Sequence, residues 1–435
     1  MKTIAIIGGG AAGLAAAVAA GEALRAAGTS ARIAVYEASD RVGRSILATG
    51  NGRCNLSNAR PDAALYRNGS YVEEVLAALE EVPGRESVPG GASATMGATG
   101  ASNAVLRFFA AHGLVWREES EGRLYPLANK ATSVLDCLRA AGTAAGVEEC
   151  VECEVAAVEP PREAGGRFTL RLADGRFERA DAVIVAVGGT VARTLLPEGI
   201  PFRAPEPTLG PLATEPRWPR RLDNIRVRGA LELWRGGCCA AREVGEVMFR
   251  KYGVSGIAAF NLSRLTRPGD ELAVDFLPAV PPDGAEAFLA ARRAQLEASY
   301  GCAATWDDML RGMVLAPVAD VLLDAARLTG GDLVRSGELA ALARVLKGLR
   351  LPVTGLGDPR QCQVHRGGVE VGAVSPRTCE LWAVPGLYVV GEALDVDAPC
   401  GGYNLHWAWA SGLLAGHAAA QVLAAPSGSA RGEER

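Results

Sequence analysis

The stretch "TIAIIGGGAAG", residues Thr3–Gly13, decides the fold of this chain. Its first five residues predict a short buried strand, and the alanine-rich stretch Ala11–Ala27 predicts a helix. Between the two stands Gly8-x-Gly10-x-x-Gly13. The first glycine permits a tight turn, the second lets a pyrophosphate approach the backbone, and the third allows close packing of helix and strand. The free N–H groups at the start of such a helix bind phosphate.

An acidic residue follows the next predicted strand. The strand Arg32–Tyr36 leads directly into Glu37. A carboxylate at this point of a β-α-β unit accepts hydrogen bonds from the hydroxyls of an adenosine ribose, which favours FAD or NAD over NADP. Strand, glycines, helix, strand and acid in this order predict a dinucleotide-binding domain.

A second set of such features lies near the other end of the chain. An apolar strand, Leu387–Val390, runs into Gly391–Glu392, and Gly401–Gly402 precede an apolar helix. The acid could bind the ribityl hydroxyls of a flavin. The start of the helix, near Asn404 and Leu405, could present N–H groups to the pyrimidine ring of the flavin. FAD is the dinucleotide that explains both ends of the chain.

The middle of the chain predicts further elements of the same domain. Helices are expected around Val72–Glu81 and Ala104–His112, with a flexible Gly- and Ser-rich excursion over Gly84–Asn103. Alternating runs in Glu149–Val187 predict a β-meander whose last strand delivers Gly188–Gly189 to the neighbourhood of the phosphates and the flavin.

We therefore divide the chain into four parts. Residues 1–189 and 361–435 form the two halves of the cofactor domain, residues 190–276 with 350–360 form an inserted β substrate domain, and residues 277–349 form a helical subdomain.

Composition narrows the classes of partner. Apolar residues make up 49% and charged residues 22%, which are globular values, and the net charge is −4. We find no clustered basic segment and expect no nucleic-acid partner. The apolar stretch Leu405–Ala425 contains two histidines and a serine, so it predicts a buried helix rather than stable membrane insertion. Cleavage of the first twenty residues as a signal peptide would destroy the glycine motif, so we expect none.

The ten cysteines indicate reduced thiols and a cytoplasmic protein, because their spacing is not that of a disulfide framework. The pair Cys150-x-x-Cys153 is interpreted as coincidence, since residues three apart in an extended strand face opposite sides. No metal site is predicted, and the oligomeric state is left open.

These residues resemble, from end to end, the BaiN-like family of NAD(P)/FAD-dependent oxidoreductases, also called aminoacetone-oxidase-like flavoproteins. The matching motifs include "IIGGGAAGLAAA", "GNGRCNLSN", "GRLYPLANKATSVLDCL", "GEVMFRKYGVSG" and "GLYVVGEALDVDAPCGGYNLHWAWASG". The resemblance implies an α/β fold with a glutathione-reductase-type Rossmann FAD-binding domain, a parallel sheet plus β-meander, interrupted by an inserted β domain and a helical subdomain. It also implies that the loop Asn51–Asn55 lies against the flavin.

The site residues that follow from the motifs and the resemblance fall into two groups. The expected FAD-binding residues are Gly8, Gly10, Ala12, Gly13, Glu37, Ala38, Arg44, Gly52, Arg53, Cys54, Asn55, Val155, Gly188, Gly189, Gly391, Glu392, Gly402, Asn404 and Leu405. The expected catalytic residues are Tyr403, His365 and Tyr252 for proton transfer and Arg53 as a fixed positive charge, with a structural ion pair as the alternative for Arg53. Lys251 or Arg366 could bind a substrate carboxylate or enolate.

The chain departs from the family pattern at Ser45, at Arg250–Lys251, at Ile257 and at His365 or Arg366. All of these could lie at the mouth or substrate side of the flavin pocket. The departures leave FAD binding intact and leave the substrate open.

Three functions remain. The leading one is reduction of an activated C=C bond, such as the enone of a steroid, a bile-acid-like or another apolar small molecule, with the flavin recharged by NADH or NADPH. The second is oxidation of small amines or amino-ketones by oxygen, and the third is a flavin redox sensor without turnover. Because no second GxGxxG unit is visible, either a nicotinamide binds transiently on the substrate side or the electrons come from another donor.

Overall fold

A computed structural model of the chain describes residues 1–83, 103–163 and 165–425. The excursion predicted over Gly84–Asn103 lies, except for its last residue, outside the described residues. The strands are β1 Lys2–Ile7, β2 Ala31–Tyr36, β3 Ser57–Asn58, β4 Trp116–Glu118, β5 Arg123–Pro126, β6 Val147–Cys150, β7 Val155–Glu159, β8 Phe168–Leu172, β9 Phe177–Ala180, β10 Ala182–Val185, β11 Phe202–Thr208, β12 Leu212–Thr214, β13 Arg226–Arg235, β14 Cys238–Arg250, β15 Gly253–Ser255, β16 Glu271–Asp275, β17 Leu349–Leu356, β18 Val364–Val369 and β19 Leu387–Val389. The helices are α1 Ala11–Ala26, α2 Arg44–Ala48, α3 Gly69–Glu80, α4 Ala104–Ala111, α5 Ala131–Ala145, α6 Gly189–Leu195, α7 Ile257–Ser263, α8 Ala285–Tyr300, α9 Trp306–Leu310, α10 Ala316–Ala326, α11 Leu339–Lys347 and α12 Tyr403–Ala424.

The chain forms two compact units. Unit 1 comprises residues 1–206 and everything from His365 onward, and unit 2 comprises residues 207–364. Residues 190–206 thus belong to unit 1, although the sequence analysis placed them in the insertion. The reason is that Ala192 and Leu195 of α6 are buried in the core of unit 1.

Unit 1 is built on a five-stranded parallel sheet in the order β19-β10-β1-β2-β6. In the central strand β1, Ile4 is paired with Ala182 on one side and with Ile33 on the other. All four residues of β10 are buried, as expected for a parallel strand covered on both faces. This sheet confirms the Rossmann-type fold predicted from the glycine motif.

The helices α1 and α12 pack on each other with backbone in contact. A Cβ at Gly412 would lie 2.3 Å from the carbonyl oxygen of Ala12, and a Cβ at Gly416 would lie 2.1 Å from that of Ala16. Small residues at these positions let the two helices approach closely. None of the helices in the described part of the chain combines the length and the hydropathy that a bilayer crossing requires.

The predicted meander is the antiparallel sheet β7-β8-β9, and a third small sheet has the order β3-β5-β4. The meander does not begin where the sequence suggested. Strand β6 ends at Cys150, and Glu152 adopts a left-handed φ of 52° before β7 starts at Val155. Cys150 and Cys153 therefore flank a turn instead of sharing an extended strand, and both are free thiols.

Unit 2 contains a closed barrel in the order β12-β15-β14-β13-β16-β17, with helices α8–α11 between β16 and β17. Barrel and helices share one core, in which Leu231 and Leu233 of β13 are buried in the same cluster as Leu289, Trp306 and Leu342. The β part and the helical part are therefore one folding unit.

Candidate cofactor and active site

The glycine turn after β1 is required by packing at two of its three positions. Gly8 has a φ of 101°, and a Cβ there would lie 2.6 Å from the carbonyl oxygen of Ala186. A Cβ at Gly13 would lie 1.9 Å from the carbonyl oxygen of Gly8. At Gly10 a Cβ would meet only the Ser45 hydroxyl, at 3.2 Å. The open face of the turn is therefore at Gly10, where the sequence predicts the pyrophosphate.

Glu37 closes the turn from the end of β2. Its Oε2 accepts a hydrogen bond from Gly9 N at 2.9 Å, and its Oε1 accepts one from Ser39 N at 2.8 Å. The carboxylate is thus held at the carboxyl end of the sheet. Two neighbouring residues predicted to bind FAD are more peripheral, because Ala38 is exposed and Arg44 is exposed with a 3.8 Å ion pair to Asp40.

The helices α1 and α12 each begin after a glycine and, like α2, α3, α5 and α6, they have no side-chain cap. α1 starts after Gly10 and α12 starts after Gly402, and neither glycine has a side chain that could cap the first turn. The first-turn N–H groups of a helix carry partial positive charge and need acceptors. An anionic pyrophosphate at α1 and a carbonyl oxygen of the flavin pyrimidine ring at α12 would supply them. The donor set of unit 1 therefore fits FAD.

The Gly391–Glu392 turn after β19 is fixed by side chains of α12. Gly391 N donates to Ser411 Oγ at 2.9 Å, and the indole Nε1 of Trp407 donates to Gly391 O at 3.0 Å. Both side chains are buried. Because a buried indole N–H must find an acceptor, Trp407 determines where this turn lies.

Glycines predicted to bind different parts of FAD meet at this edge of the sheet. A Cβ at Gly391 would lie 3.0 Å from Ala12 Cβ, and a Cβ at Gly189 would lie 3.0 Å from Glu392 O. The turns that follow β1, β10 and β19 are thus adjacent, as the carboxyl ends of neighbouring parallel strands require.

The loop Asn51–Asn55 is tightly turned, with left-handed φ values at Asn51, Gly52 and Cys54. The Cys54 thiol is buried, which raises its pKa to about 11, so it is a neutral hydrogen-bonding group and not a thiolate. The side-chain amide of Asn55, in the orientation that satisfies both of its polar atoms, accepts from Gly402 N at 3.0 Å. The loop is thereby attached to the start of α12.

Two further side chains of α12 hold the segment after this loop. Trp409 Nε1 donates to Leu56 O at 2.9 Å, and His406 Nδ1 lies 2.9 Å from Ser57 Oγ. Burial lowers the pKa of His406 to about 4, so the imidazole is neutral at physiological pH. α12 therefore positions both the Gly391 turn and the Asn55 loop. The sequence did not indicate that the tryptophans of this helix have that role.

The guanidinium group of Arg53 is held by neighbouring side chains. Its Nε donates to Asn129 Oδ1 at 2.6 Å, its Nη2 is paired with Glu119, and its guanidinium stacks 4.0 Å from the centre of the Tyr125 ring. Hydrogen bonds from Arg117 and Arg53 lower the pKa of Glu119 against the opposing effect of desolvation. These contacts support the structural alternative for Arg53, and a charge placed beside the flavin remains a prediction.

His365 is bound to the predicted ribityl acid. Its backbone N donates to Glu392 Oε1 at 2.7 Å, and its ring Nδ1 lies 3.3 Å from the same oxygen. The hydrogen bond to Glu392 raises the pKa of His365 despite partial burial. The structure therefore places a predicted proton carrier next to a predicted cofactor ligand.

Tyr403 is the first residue of α12 and is half-buried. Its carbonyl oxygen accepts from the Tyr66 hydroxyl at 2.8 Å, and the two rings meet edge to face at 5.9 Å. Burial, reinforced by Asp62 and Glu121, raises the pKa of Tyr403. The phenol is thus protonated and can act as a proton donor.

The other residues predicted to bind FAD or to transfer a proton lie in different parts of the structure. Asn404 bridges Ala398 with both amide atoms, at 2.9 Å and 2.8 Å. Leu405 is half-buried, and Val155 is buried in the meander. Tyr252 belongs to unit 2, where burial raises the pKa of its hydroxyl.

The residues proposed to bind a substrate acid also differ in their surroundings. Lys251 is exposed, whereas Arg366 is paired with the fully buried Asp397 through its Nε at 3.0 Å and its Nη2 at 3.2 Å. Arg366 is therefore committed to the loop that precedes α12.

Unit 2 holds a cavity of about 840 Å³ between the outer face of the barrel and the helices. Its lining includes Trp218, Trp234, Glu232 and Arg344. It contains none of the predicted site residues, and its mixed charges favour no single ligand.

The chain is similar to several known proteins over most of its length. A family model described as HI0933-like protein Rossmann domain matches residues 98–418. The 3-dehydro-bile acid delta(4,6)-reductase of Clostridium scindens is 32% identical, over 97% of this chain and 100% of that protein. The ribosomal RNA dihydrouridine synthase of Escherichia coli is 27% identical, over 93% of this chain and 95% of that protein. Among solved structures, the 3-ketosteroid delta1-dehydrogenase of Sterolibacterium denitrificans matches with 14% identity and a TM-score of 0.44, over 97% of this chain and 100% of that chain.

Proposed function

The chain belongs to the HI0933-like Rossmann-domain family, and on that premise we propose that it is an FAD-dependent reductase of an activated carbon–carbon double bond. The family membership agrees with the BaiN-like resemblance seen in the sequence. The proposed substrate is an enone or a related conjugated small molecule, and the proposed electron donor is NADH or NADPH.

One observation carries the choice of cofactor, namely that the turns after β1, β10 and β19 meet at one edge of the parallel sheet in unit 1. The open face at Gly10 and the carboxylate of Glu37 complete a site of the right chemistry for a dinucleotide. FAD would be held by the turns after β1, β10 and β19 and by the Asn55 loop.

The direction of the reaction is supported by the names of the two relatives. A bile-acid delta(4,6)-reductase removes carbon–carbon double bonds, and dihydrouridine is uridine with one ring double bond reduced. In a 3-dehydro bile acid and in uracil that bond is conjugated with a carbonyl group, which makes it electrophilic. Reduction of a conjugated double bond therefore supports our first hypothesis over amine oxidation.

When bound, FAD supplies the hydride for this reaction. The residues of the chain supply orientation and a proton. Tyr403, protonated and at the start of α12, is the proposed donor of the proton to the substrate carbon. His365 with Glu392 is the second candidate, and Tyr252 of unit 2 is the third. Free thiols at all ten cysteines accord with a reducing, cytoplasmic setting.

The test is anaerobic mixing of the flavin-loaded protein with NADH and with NADPH, followed by reoxidation. Bleaching by a nicotinamide, slow reoxidation by oxygen and fast reoxidation by an enone would support the reductase. Bleaching by an amine, with no bleaching by either nicotinamide, would replace it with the oxidase. A bound flavin that none of these reagents reaches would indicate the redox sensor. Tyr403→Phe should slow reoxidation by the enone and leave bleaching unchanged.

Uridine within RNA is a second candidate substrate, favoured by one feature of unit 2. The segment Arg217–Arg228 contains five arginines, and all five are exposed. This cluster corrects the expectation that the chain has no clustered basic segment. Arg221 and Arg226 are ion-paired with Asp324 and Glu246, which leaves Arg217, Arg220 and Arg228 of the segment without an ion-pair partner among the described residues. Clustered guanidinium groups bind phosphate backbones in a salt-dependent manner. An RNA oligonucleotide therefore belongs among the acceptors tested, and its reduction would replace the small-molecule substrate without changing the reaction.

A further inference from the structure

Two arginines of unit 1 are oriented by one buried carboxylate. Asp395, in the loop after the Gly391–Glu392 turn, has a side chain only 4% exposed. Its Oδ1 accepts from Arg67 Nε at 2.8 Å, and its Oδ2 lies 3.3 Å from Arg203 Nε. Both carboxylate oxygens are thus used to hold a guanidinium by its inner nitrogen.

The outer nitrogens of the two arginines are left for another ligand. Among the described residues, the Nη groups of Arg67 and Arg203 donate no hydrogen bond; both guanidinium groups are ion-paired with Asp395, and the charge of Asp397 also acts on Arg67. The side chains are 28% and 54% exposed, so these groups are accessible. A guanidinium whose Nε is fixed presents its two Nη groups in a set direction, which suits a planar or tetrahedral oxyanion.

The neighbouring contacts make this a prepared arrangement. Asn68 Nδ2 donates to Asp395 O at 2.6 Å, and Arg67 N donates to Asp397 O at 2.8 Å. Asp397 is in turn paired with Arg366. Backbone and side chains therefore fix Arg67 and Asp395 together, close along the chain to the predicted ribityl acid Glu392.

We propose that Arg67 and Arg203 form an oxyanion site that binds an acidic group, a carboxylate or a phosphate, on the substrate. This inference rests on the proposed reductase function and makes its substrate an acidic enone. The phosphates of FAD would present the same chemistry, so the experiment has to separate the two sources.

The test uses the flavin-loaded protein and three variants. Arg203→Gln removes the more exposed guanidinium group. Arg203→Lys keeps the positive charge but loses the planar pair of Nη donors. Arg171→Gln, an exposed arginine of β8 in the same unit, is the matched control. The substrates are a carboxylated enone and its neutral methyl ester.

Arg203→Gln should raise the KM for the acid about tenfold or more, because charge-assisted hydrogen bonds are lost. It should leave the KM for the ester and the dissociation constant of FAD as in the wild type. The KM of Arg203→Lys for the acid should lie between that of the wild type and that of Arg203→Gln. Arg171→Gln should have the KM values of the wild type. An unchanged ratio of the two KM values in Arg203→Gln would overturn the proposal. Weakened FAD binding with that ratio unchanged would assign the site to the cofactor phosphates and would equally overturn it.

A second readout does not depend on turnover. Inorganic phosphate should raise the Tm of the flavin-loaded wild type and of Arg171→Gln, but not that of Arg203→Gln, because a ligand of the folded state stabilises it. If the protein reduces neither enone but phosphate still stabilises only proteins with Arg203, the reductase function has failed and the oxyanion site stands. If phosphate stabilises all of them equally, the oxyanion site has failed.

Discussion

Replacing Gly10 by alanine should separate the packing role of the glycine turn from its ligand role. In the protein itself the new methyl group would meet only the Ser45 hydroxyl, at 3.2 Å, and that hydroxyl can turn about χ1. The φ of Gly10 is −82°, which alanine adopts without strain. The free energy of unfolding of the apoprotein should therefore change by no more than about 1 kcal/mol.

The effect on FAD should be much larger. A methyl group forced between the backbone and a pyrophosphate costs about 2 kcal/mol, by analogy with overpacking of a filled site. This corresponds to a dissociation constant for FAD that is about 30-fold higher. Gly13→Ala should behave differently, because its Cβ would lie 1.9 Å from Gly8 O and the start of α1 would have to move. That variant should lose stability even without cofactor.

The assay is titration of the apoprotein with FAD, followed by flavin fluorescence, together with urea unfolding of the apoprotein. Gly372→Ala is the matched control, because a Cβ at that glycine of unit 1 would have open space around it. Gly10→Ala with wild-type affinity for FAD would refute the placement of the pyrophosphate at this turn. A large loss of apoprotein stability in Gly10→Ala would refute the assignment of its open face.

Further predictions concern α12 and the two histidines near it. Trp407→Phe should leave the buried Gly391 carbonyl without its hydrogen-bond donor and lower the free energy of unfolding, measured by urea titration, by about 1–3 kcal/mol. Trp382→Phe is the control, because that side chain is 63% exposed and its replacement should change the free energy of unfolding very little. The pKa of His406, lowered from 6.5 to about 4 by burial, makes the unfolded state bind more protons, so wild-type stability should fall by up to about 3 kcal/mol as the pH drops from 6.5 towards 4. His406→Asn should remove that acid limb, and an unchanged limb would contradict the burial. The raised pKa of His365 has the opposite sign: its stabilisation is complete below pH 6.5 and is lost as the pH rises through the raised value, so His365→Gln should flatten the alkaline limb.

The sequence was sufficient for the parts of the site that depend on local backbone geometry. Gly8, Gly13 and Gly391 lie where an added Cβ would be too close to backbone or to a neighbouring helix. A glycine at each position was therefore enough to predict the close contact from the sequence. The same holds for strands β1, β2 and β10 of the parallel sheet, which are apolar enough to be recognised, whereas the polar edge strand β6 was assigned to the meander.

Contacts between distant segments left no such signal. Asp395 joins arginines from two other segments, and nothing in the spacing of the chain indicates that Arg67 and Arg203 meet. The direction of Arg53 was equally undetermined, since Glu119 and Asn129 lie far along the chain. The barrel of unit 2 escaped detection as a barrel because β12 and β15 are only three residues long, too short for an alternating pattern.

The backbone contact between α1 and α12 has a consequence for synthesis in the cell. About 380 residues separate the end of α1 from the start of α12, so at about 5–20 residues per second the ribosome makes α12 about 20–75 seconds after α1. Through most of that interval the apolar face of α1 waits for its partner, and the Gly391 turn does not yet exist. Nascent chains should therefore need protection by chaperones, and the cofactor should be acquired only after α12 has been made, because the Gly391 turn depends on side chains of that helix.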